Sequence, residues 1–319
     1  AEFDTERFIR GTQRKIQQHK IHRLVWQSAS VAAVFMIVLF SVLFTRENRP
    51  PESSVVNDVP VAGKTQAVLS LPDGRQVALG NEKEQDTAWM KYVEACTIES
   101  KATTEPADIK IEVARGGEYK IRLEDGTTVW LNSESSLIYP EKFTGDKRAV
   151  RLSGEGYFEV ARDEKKPFIV SVTDMEIKVL GTKFNVTAYQ DEKMTTTTLI
   201  SGAVEVVTPH RSVQLQPGKQ AMVQEGGDDI TVLEVDVELA TSWTAGIFKF
   251  DKMALTDICT RLSRWYDIDF VFEGETGKEK FTGGTWKYVP LKDFLSKIER
   301  VTNVLFLFEN NTVKVVPKK

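Results

Sequence analysis

The chain has 319 residues, 41% of them hydrophobic and 28% charged, with a formal net charge of −4. That balance belongs to folded protein rather than to disorder, and a mildly acidic chain is a poor match for nucleic acid as a direct partner. Two cysteines, Cys96 and Cys259, are too few for a disulfide framework and form no CxxC pair. Cys259 reads as a small apolar helix residue and Cys96 as a loop thiol.

Residues 1–24 are basic, with Arg7, Arg10, Arg14, Lys15, Lys20 and Arg23 spread along a helical pattern. The segment suits a helix lying against anionic lipid headgroups. Residues 26–44 carry no charge, which predicts a transmembrane helix over 25–45, since a bilayer core needs about 20 helical residues. The run exits into Thr45, Arg46 and Glu47 without the small-residue signature of a cleaved leader. The excess of Arg and Lys before the span places the N-terminus in the cytoplasm and everything after it outside. The expected location is the inner membrane, single-pass, with membrane lipid as one partner.

Residues 46–64 read as a polar, proline-containing linker. Two echoing segments follow, LSLPDGRQVALG from Leu69-Ser70-Leu71 onward and IRLEDGTTVWLN from Ile121. An Asp-Gly between alternating apolar runs predicts a hairpin in each, one unit used twice. Between them, 81–109 is polar and weakly patterned and reads as a loop insertion. Short strands with frequent turn residues then predict an all-β domain over 65–240, a sandwich, barrel or solenoid that periodicity does not choose among. Gly154-Glu155-Gly156 reads as a hairpin turn separating strands at 148–153 and 156–161.

From 241 to 319 the pattern changes. Leu255, Ile258, Cys259 and Leu262, then Leu291, Phe294, Leu295 and Ile298, recur at helical spacing. The stretches starting at Phe250 and Trp286 align without a gap at an offset of 36 positions, pairing Leu255 with Leu291, Asp257 with Asp293 and Arg264 with Arg300. The reading is a βαβ–βαβ repeat, closed by a hairpin at Asn310-Asn311. The predicted fold class is therefore mainly β with a C-terminal α+β domain.

Enzyme chemistry finds little support. His19 and His22 have no acidic ligand beside them, His210 follows Pro209 in a turn, and no GxSxG, P-loop or HExxH occurs. No cofactor, metal or catalytic residue is expected. The carboxylate pairs Asp163-Glu164, Asp191-Glu192 and Asp228-Asp229 read as solvated loop charge. One bond stands apart, Gly181-Thr182. The threonine hydroxyl can attack the preceding carbonyl to give an ester that water then hydrolyses, and glycine admits a distorted backbone there. A turn or bulge glycine explains the same pair.

The motifs GGEYKIRLEDGTTVWLNSESSLIYPEKF, RLSGEGYFEVARDEKKPFIVSV, MEIKVLGTKFNVTAYQ and LISGAVEVV, in that order, resemble the FecR family of transmembrane anti-sigma factors. The version with a C-terminal domain similar to the secretin/TonB short N-terminal fold fits best, with that domain at 241–319. The resemblance implies signal relay. The exterior region would contact the signalling domain of an outer-membrane TonB-dependent transporter, and the cytoplasmic part would hold an extracytoplasmic-function (ECF) sigma factor until stepwise proteolysis frees it. In some members the exterior region cuts itself at a Gly-Thr bond, and the resemblance makes Gly181-Thr182 the matching pair here. Residues 1–24 are shorter than a complete sigma-binding helical region. The competing reading is a membrane-tethered structural or adhesive periplasmic β-protein.

Overall fold

A computed structural model describes residues 62–80, 108–173 and 175–318. The basic segment 1–24, the expected spanning segment 25–45, linker residues 46–61 and Cys96 lie outside the described residues. Among the described residues no helix is long and apolar enough to cross a membrane.

The chain is mainly β. Its first part runs through β1 (Lys64–Thr65), β2 (Ala67–Ser70), β3 (Gln76–Leu79), β4 (Asp108–Val113), β5 (Gly117–Arg122), β6 (Thr128–Leu131), β7 (Ser135–Pro140) and β8 (Arg148–Glu159). It continues through β9 (Phe168–Val172), β10 (Met175–Val179), β11 (Lys183–Ala188), β12 (Met194–Ser201), β13 (Val204–Val207), β14 (Ser212–Leu215), β15 (Lys219–Gln224) and β16 (Ile230–Glu234). Two sheets result. The first has the order β3-β2-β4-β7-β8-β9-β10-β13-β14 and the second β1-β5-β6-β8-β11-β12-β15-β16. Strands such as β4 and β10 bury every second residue, as a sheet with one wet face requires. Leu69, Ile111, Leu137 and Ile177 of the first sheet share one core with Ile121, Val129, Phe184 and Val186 of the second.

Both Asp-Gly segments are hairpin turns of one geometry. Leu71 and Leu123 each accept from the glycine amide, Gly74 or Gly126, and both glycines have φ 85°. Asp73 and Asp125 each accept from the backbone amide two residues on. The echo in sequence is an echo in structure.

The Gly154-Glu155-Gly156 reading is corrected. No turn forms, and β8 is one strand of 12 residues. Its first half pairs with β9 in parallel and with β7, while its second half pairs with β11 and β6. Gly154, at φ 91°, bends the strand from one sheet into the other, and a Cβ there would lie 2.4 Å from Ser135 Oγ. Glycine is needed for close approach, not for reversal. The loop assigned to 81–109 also ends early. Asp108 opens β4, and Ile109 is buried where it faces Tyr139 of β7.

The remaining elements are α1 (Val237–Thr241), β17 (Ile247–Ala254), α2 (Leu255–Tyr266), β18 (Asp269–Phe272), β19 (Lys280–Trp286), α3 (Leu291–Val301), β20 (Val304–Glu309) and β21 (Thr312–Pro317). The repeat pairs its halves strand to strand. β17 lies antiparallel to β19, while β21 sits between β18, to which it is parallel, and β20. The apolar faces of α2 and α3 bury Leu255, Ile258, Leu262, Leu291, Phe294 and Ile298 in a second core, distinct from the first. Left-handed Asp267 ends α2 and left-handed Asn310 turns the last hairpin.

Candidate functional site

Gly181 and Thr182 lie between β10 of the first sheet and β11 of the second. Thr182 is buried, and its hydroxyl donates to the Ala203 carbonyl at 2.8 Å. Gly181 is not left-handed. Space is what demands glycine, because a Cβ would sit 2.7 Å from Arg162 Cα. Gly202, at φ 95°, presses from the other side, where a Cβ would come within 2.8 Å of Thr182 Oγ1 and 3.1 Å of the Gly181 oxygen. The bond is thus crowded by backbone on two sides, with its nucleophile held by a carbonyl.

His210 stays exposed, with Nε2 3.6 Å from Asp228, and Asp163 caps the turn at Lys165 and Lys166. Among the described residues no group of three or more His, Cys, Asp or Glu is placed to hold a metal. The pair Asp191-Glu192 is not simple loop charge, and that reading is corrected. Both residues bind Arg264 of α2, which no local pattern in the sequence connects to them.

Around Arg264 the two cores meet, and charge rather than aliphatic packing does the joining. Arg264 Nη2 takes both oxygens of Asp191 at 2.6 and 2.8 Å, Nη1 takes Glu192 at 2.6 Å, and Nε reaches Glu134 at 3.3 Å. The guanidinium lies 3.6 Å from the centre of the Tyr189 ring, a cation–π stack. Burial pushes the Glu192 carboxyl above its ordinary value against the pull of Arg264.

A second cation crosses nearby. Lys287, wholly buried, reaches Glu118 Oε2 of β5 at 2.7 Å and lies 3.8 Å over the Trp265 ring. Burial pulls the lysine below its usual range, and Glu118 opposes that shift. The other Glu118 oxygen accepts from the Tyr288 hydroxyl at 2.8 Å. Trp265 is itself fixed, since its Nε1 donates to the Lys287 carbonyl at 2.7 Å. Arg115 makes the reverse crossing, from the β-module to the Ser263 and Ile268 carbonyls.

The chain enters the β-module at this same place. Ala62 packs on the second core, and Gly63 lies so close to Trp265 that a Cβ would stand 2.6 Å from its ring. Lys64 and Thr65 then form β1, in parallel register with Gly117 and Glu118. The amides of Lys64 and Gln66 donate to Gly116 and Glu118, and the Gly116 amide donates to the Arg264 carbonyl. Two such bonds are worth about 1 kcal/mol each. Ordering each residue costs roughly 1–2 kcal/mol in backbone entropy. Ala62 and Gly63 add packing against the second core and Trp265 to this short ladder, while Lys64, Thr65 and Gln66 stay exposed. What the sequence presents as the end of a linker is the third member of a junction.

Sequence reasoning passed over Glu118, Arg264 and Lys287. The repeat carries one weak signal, because the position 36 before Lys287 is Asp251, a reversal of charge within the gapless alignment. Arg264 has no such mark. Its counterpart Arg300 is exposed, so equal residues in the two halves do different work.

A family profile described as FecR protein matches residues 109–205, and a second, described as FecR, C-terminal, matches residues 247–315. Two crystal structures, at 1.65 Å and 2.50 Å, are described as a candidate anti-sigma factor from Parabacteroides distasonis ATCC 8503. Each is 30% identical to this chain with a TM-score of 0.62, and the match covers 66% of this chain and 99% or 100% of theirs. No functionally curated protein matches the chain. With both modules matched in order, and a relative at 30% identity matched over nearly its whole length, the chain belongs to the FecR family of anti-sigma factors.

Proposed function

We propose that this anti-sigma factor is a single-pass inner-membrane signal transducer, with residues 1–24 in the cytoplasm and 46–319 in the periplasm. It relays ligand occupancy of an outer-membrane TonB-dependent transporter to an ECF sigma factor, through protein contact and regulated proteolysis. The observation that carries this reading is the order of parts along one chain. An uncharged apolar run at 26–44, with basic residues on its N-terminal side, precedes two FecR-family modules. A relay needs a tether through lipid and a folded exterior that can be engaged, and this order supplies both.

The test uses the whole chain in inverted and right-side-out membrane vesicles. Protease added outside right-side-out vesicles should degrade the FecR modules and spare the N-terminal segment, with the reverse in inverted vesicles. The purified signalling domain of the cognate TonB-dependent transporter should bind only the right-side-out preparation. Equal degradation in both preparations, or no binding to the cognate domain, would count against the relay.

Self-cleavage at Gly181-Thr182 belongs to the same reading. Thr182 Oγ would attack the Gly181 carbonyl carbon, the C–N bond would break and the threonine amine would leave. Water would then cleave the ester, giving a Gly181 carboxylate. One observation favours a cut at this bond. It falls where the chain crosses between sheets, so β10 and β11 each keep their own ladders afterwards. Denaturing gels of wild type should show two bands and Thr182→Ala one, and two bands from the variant would end the idea.

A further inference from the structure

The entry strand, the edge of the β-module and the C-terminal module share one set of contacts. Glu118 shows this most directly. Its backbone carbonyl accepts from the Gln66 amide, while its carboxylate takes Lys287 and Tyr288. Gly116 repeats the pattern, with its carbonyl on the Lys64 amide and its amide on the Arg264 carbonyl. Trp265 closes the arrangement by covering Gly63, and it is oriented by the Lys287 carbonyl and ammonium. Lys287, Tyr288, Trp265 and the Arg264 carbonyl, which help seat the C-terminal module, therefore also touch residues 62–66 or their immediate partners, while the Arg264 guanidinium is held apart from them by Asp191, Glu192 and Glu134.

We propose that this junction is a latch: residues 62–66 are held as a strand only while the C-terminal module is seated, and a partner that unseats the module presents them to an endoprotease. The idea deepens the relay proposed above and rests on it for the direction of the signal. With Trp265 withdrawn, Gly63 loses its cover and a two-residue parallel ladder remains. Residues 62–66 are then an extended segment at the edge of the second sheet, the backbone form that partners capture by strand addition. The segment lies on the N-terminal side of both modules, so a single cut there separates the whole folded exterior from residues 1–61. A latch of this kind converts a docking event into a covalent one without any change in the core of either module.

Hydrogen exchange of the whole chain in detergent, read by mass spectrometry, tests the latch without transporter, sigma factor or membrane. Glu118→Gln removes the carboxylate that faces Lys287. Peptides containing the Lys64 and Gln66 amides should then exchange at least tenfold faster, while peptides from α3 and β10 stay at the wild-type rate. A broad-specificity endoprotease should give a new cut within 62–66 in the variant alone. Faster exchange at Gly116 with 62–66 unchanged would overturn the proposal, since the module would then leave without freeing the strand. If α3 also exchanges faster, Gly63→Val decides the matter by pushing the strand off Trp265 without touching the charges. It should accelerate 62–66 tenfold with α3 unchanged, and no acceleration would overturn the latch. These results stand whether or not the transporter domain binds, so a failed relay and a failed latch are told apart.

Discussion

Arg264 and Lys287, 5% and 0% exposed, both carry buried positive charge from the C-terminal module onto acids of the β-module, but their partners meet water differently. The carboxylates around Arg264 remain wet, with side chains 65%, 51% and 35% exposed for Asp191, Glu134 and Glu192. Lys287 is 0% exposed and its partner Glu118 only 18%. A contact with wet partners is replaceable by solvent and contributes little net energy. A dry one is costly to break, because the group left behind keeps its charge without its hydration. The difference makes the Arg264 cluster an adjustable grip and the Lys287 contact the element that decides whether the module stays seated.

The comparison is broken or sharpened most by Glu118→Gln, which strands a buried ammonium. It should cost about 3 kcal/mol of the seating of the C-terminal module, seen as a lower urea midpoint for protection of the Lys64 and Gln66 amides with the midpoints of α3 and β10 unchanged. Lys287→Met is milder, about 1 kcal/mol, since the freed carboxylate lies near enough to the surface to rehydrate. Asp191→Asn should cost less than about 1 kcal/mol, and the loss should shrink as salt rises, because exposed charges are screened. If Asp191→Asn matched Glu118→Gln, the distinction between wet and dry contacts would fail. The smallest effect is a titration. Partial burial, with help from the Glu118 hydrogen bond, pushes the phenol of Tyr288, a residue 58% exposed, up to about 12. The folded phenol keeps its proton longer than an unfolded one, which ionises near pH 10. Its stabilisation is therefore complete below pH 10 and is lost as pH climbs to about 12. Ultraviolet titration should show the Tyr288 ionisation moving down in Glu118→Gln, and no movement would separate Tyr288 from the contact.

Local signals in the sequence carried far in some places and not in others. The helices at Leu255–Tyr266 and Leu291–Val301 lie where the spacing of Leu255, Ile258 and Leu262, and of Leu291, Phe294 and Ile298, puts them. Both Asp-Gly turns were legible because the left-handed glycine and the capping aspartate act within five residues. Glycine misled at 154, since the same residue type marks a reversal and a place where another backbone, here at Ser135, comes too near for a side chain. The junction was not legible at all. Glu118 and Lys287 are 169 positions apart and Arg264 and Asp191 are 73 apart, and each reads locally as an ordinary surface charge. Only the packing of two cores, set by alternation and helical spacing elsewhere, brings them together. Gly181-Thr182 shows the limit from the other side. The pair stands out in the sequence, but its crowding by Gly202 and Arg162 comes from chain segments about 20 residues away on either side.

β8 bears on how the β-module comes apart. Because one unbroken stretch of backbone serves as a rung in both sheets, neither sheet can melt while the other keeps its full ladder. Heat or denaturant should find no stable half-open form, and near-ultraviolet and far-ultraviolet signals from this region should disappear in a single coincident transition. A pull applied at the N-terminal end would meet the same all-or-none resistance, so load would be borne by the junction at residues 62–66 before the β-module yields.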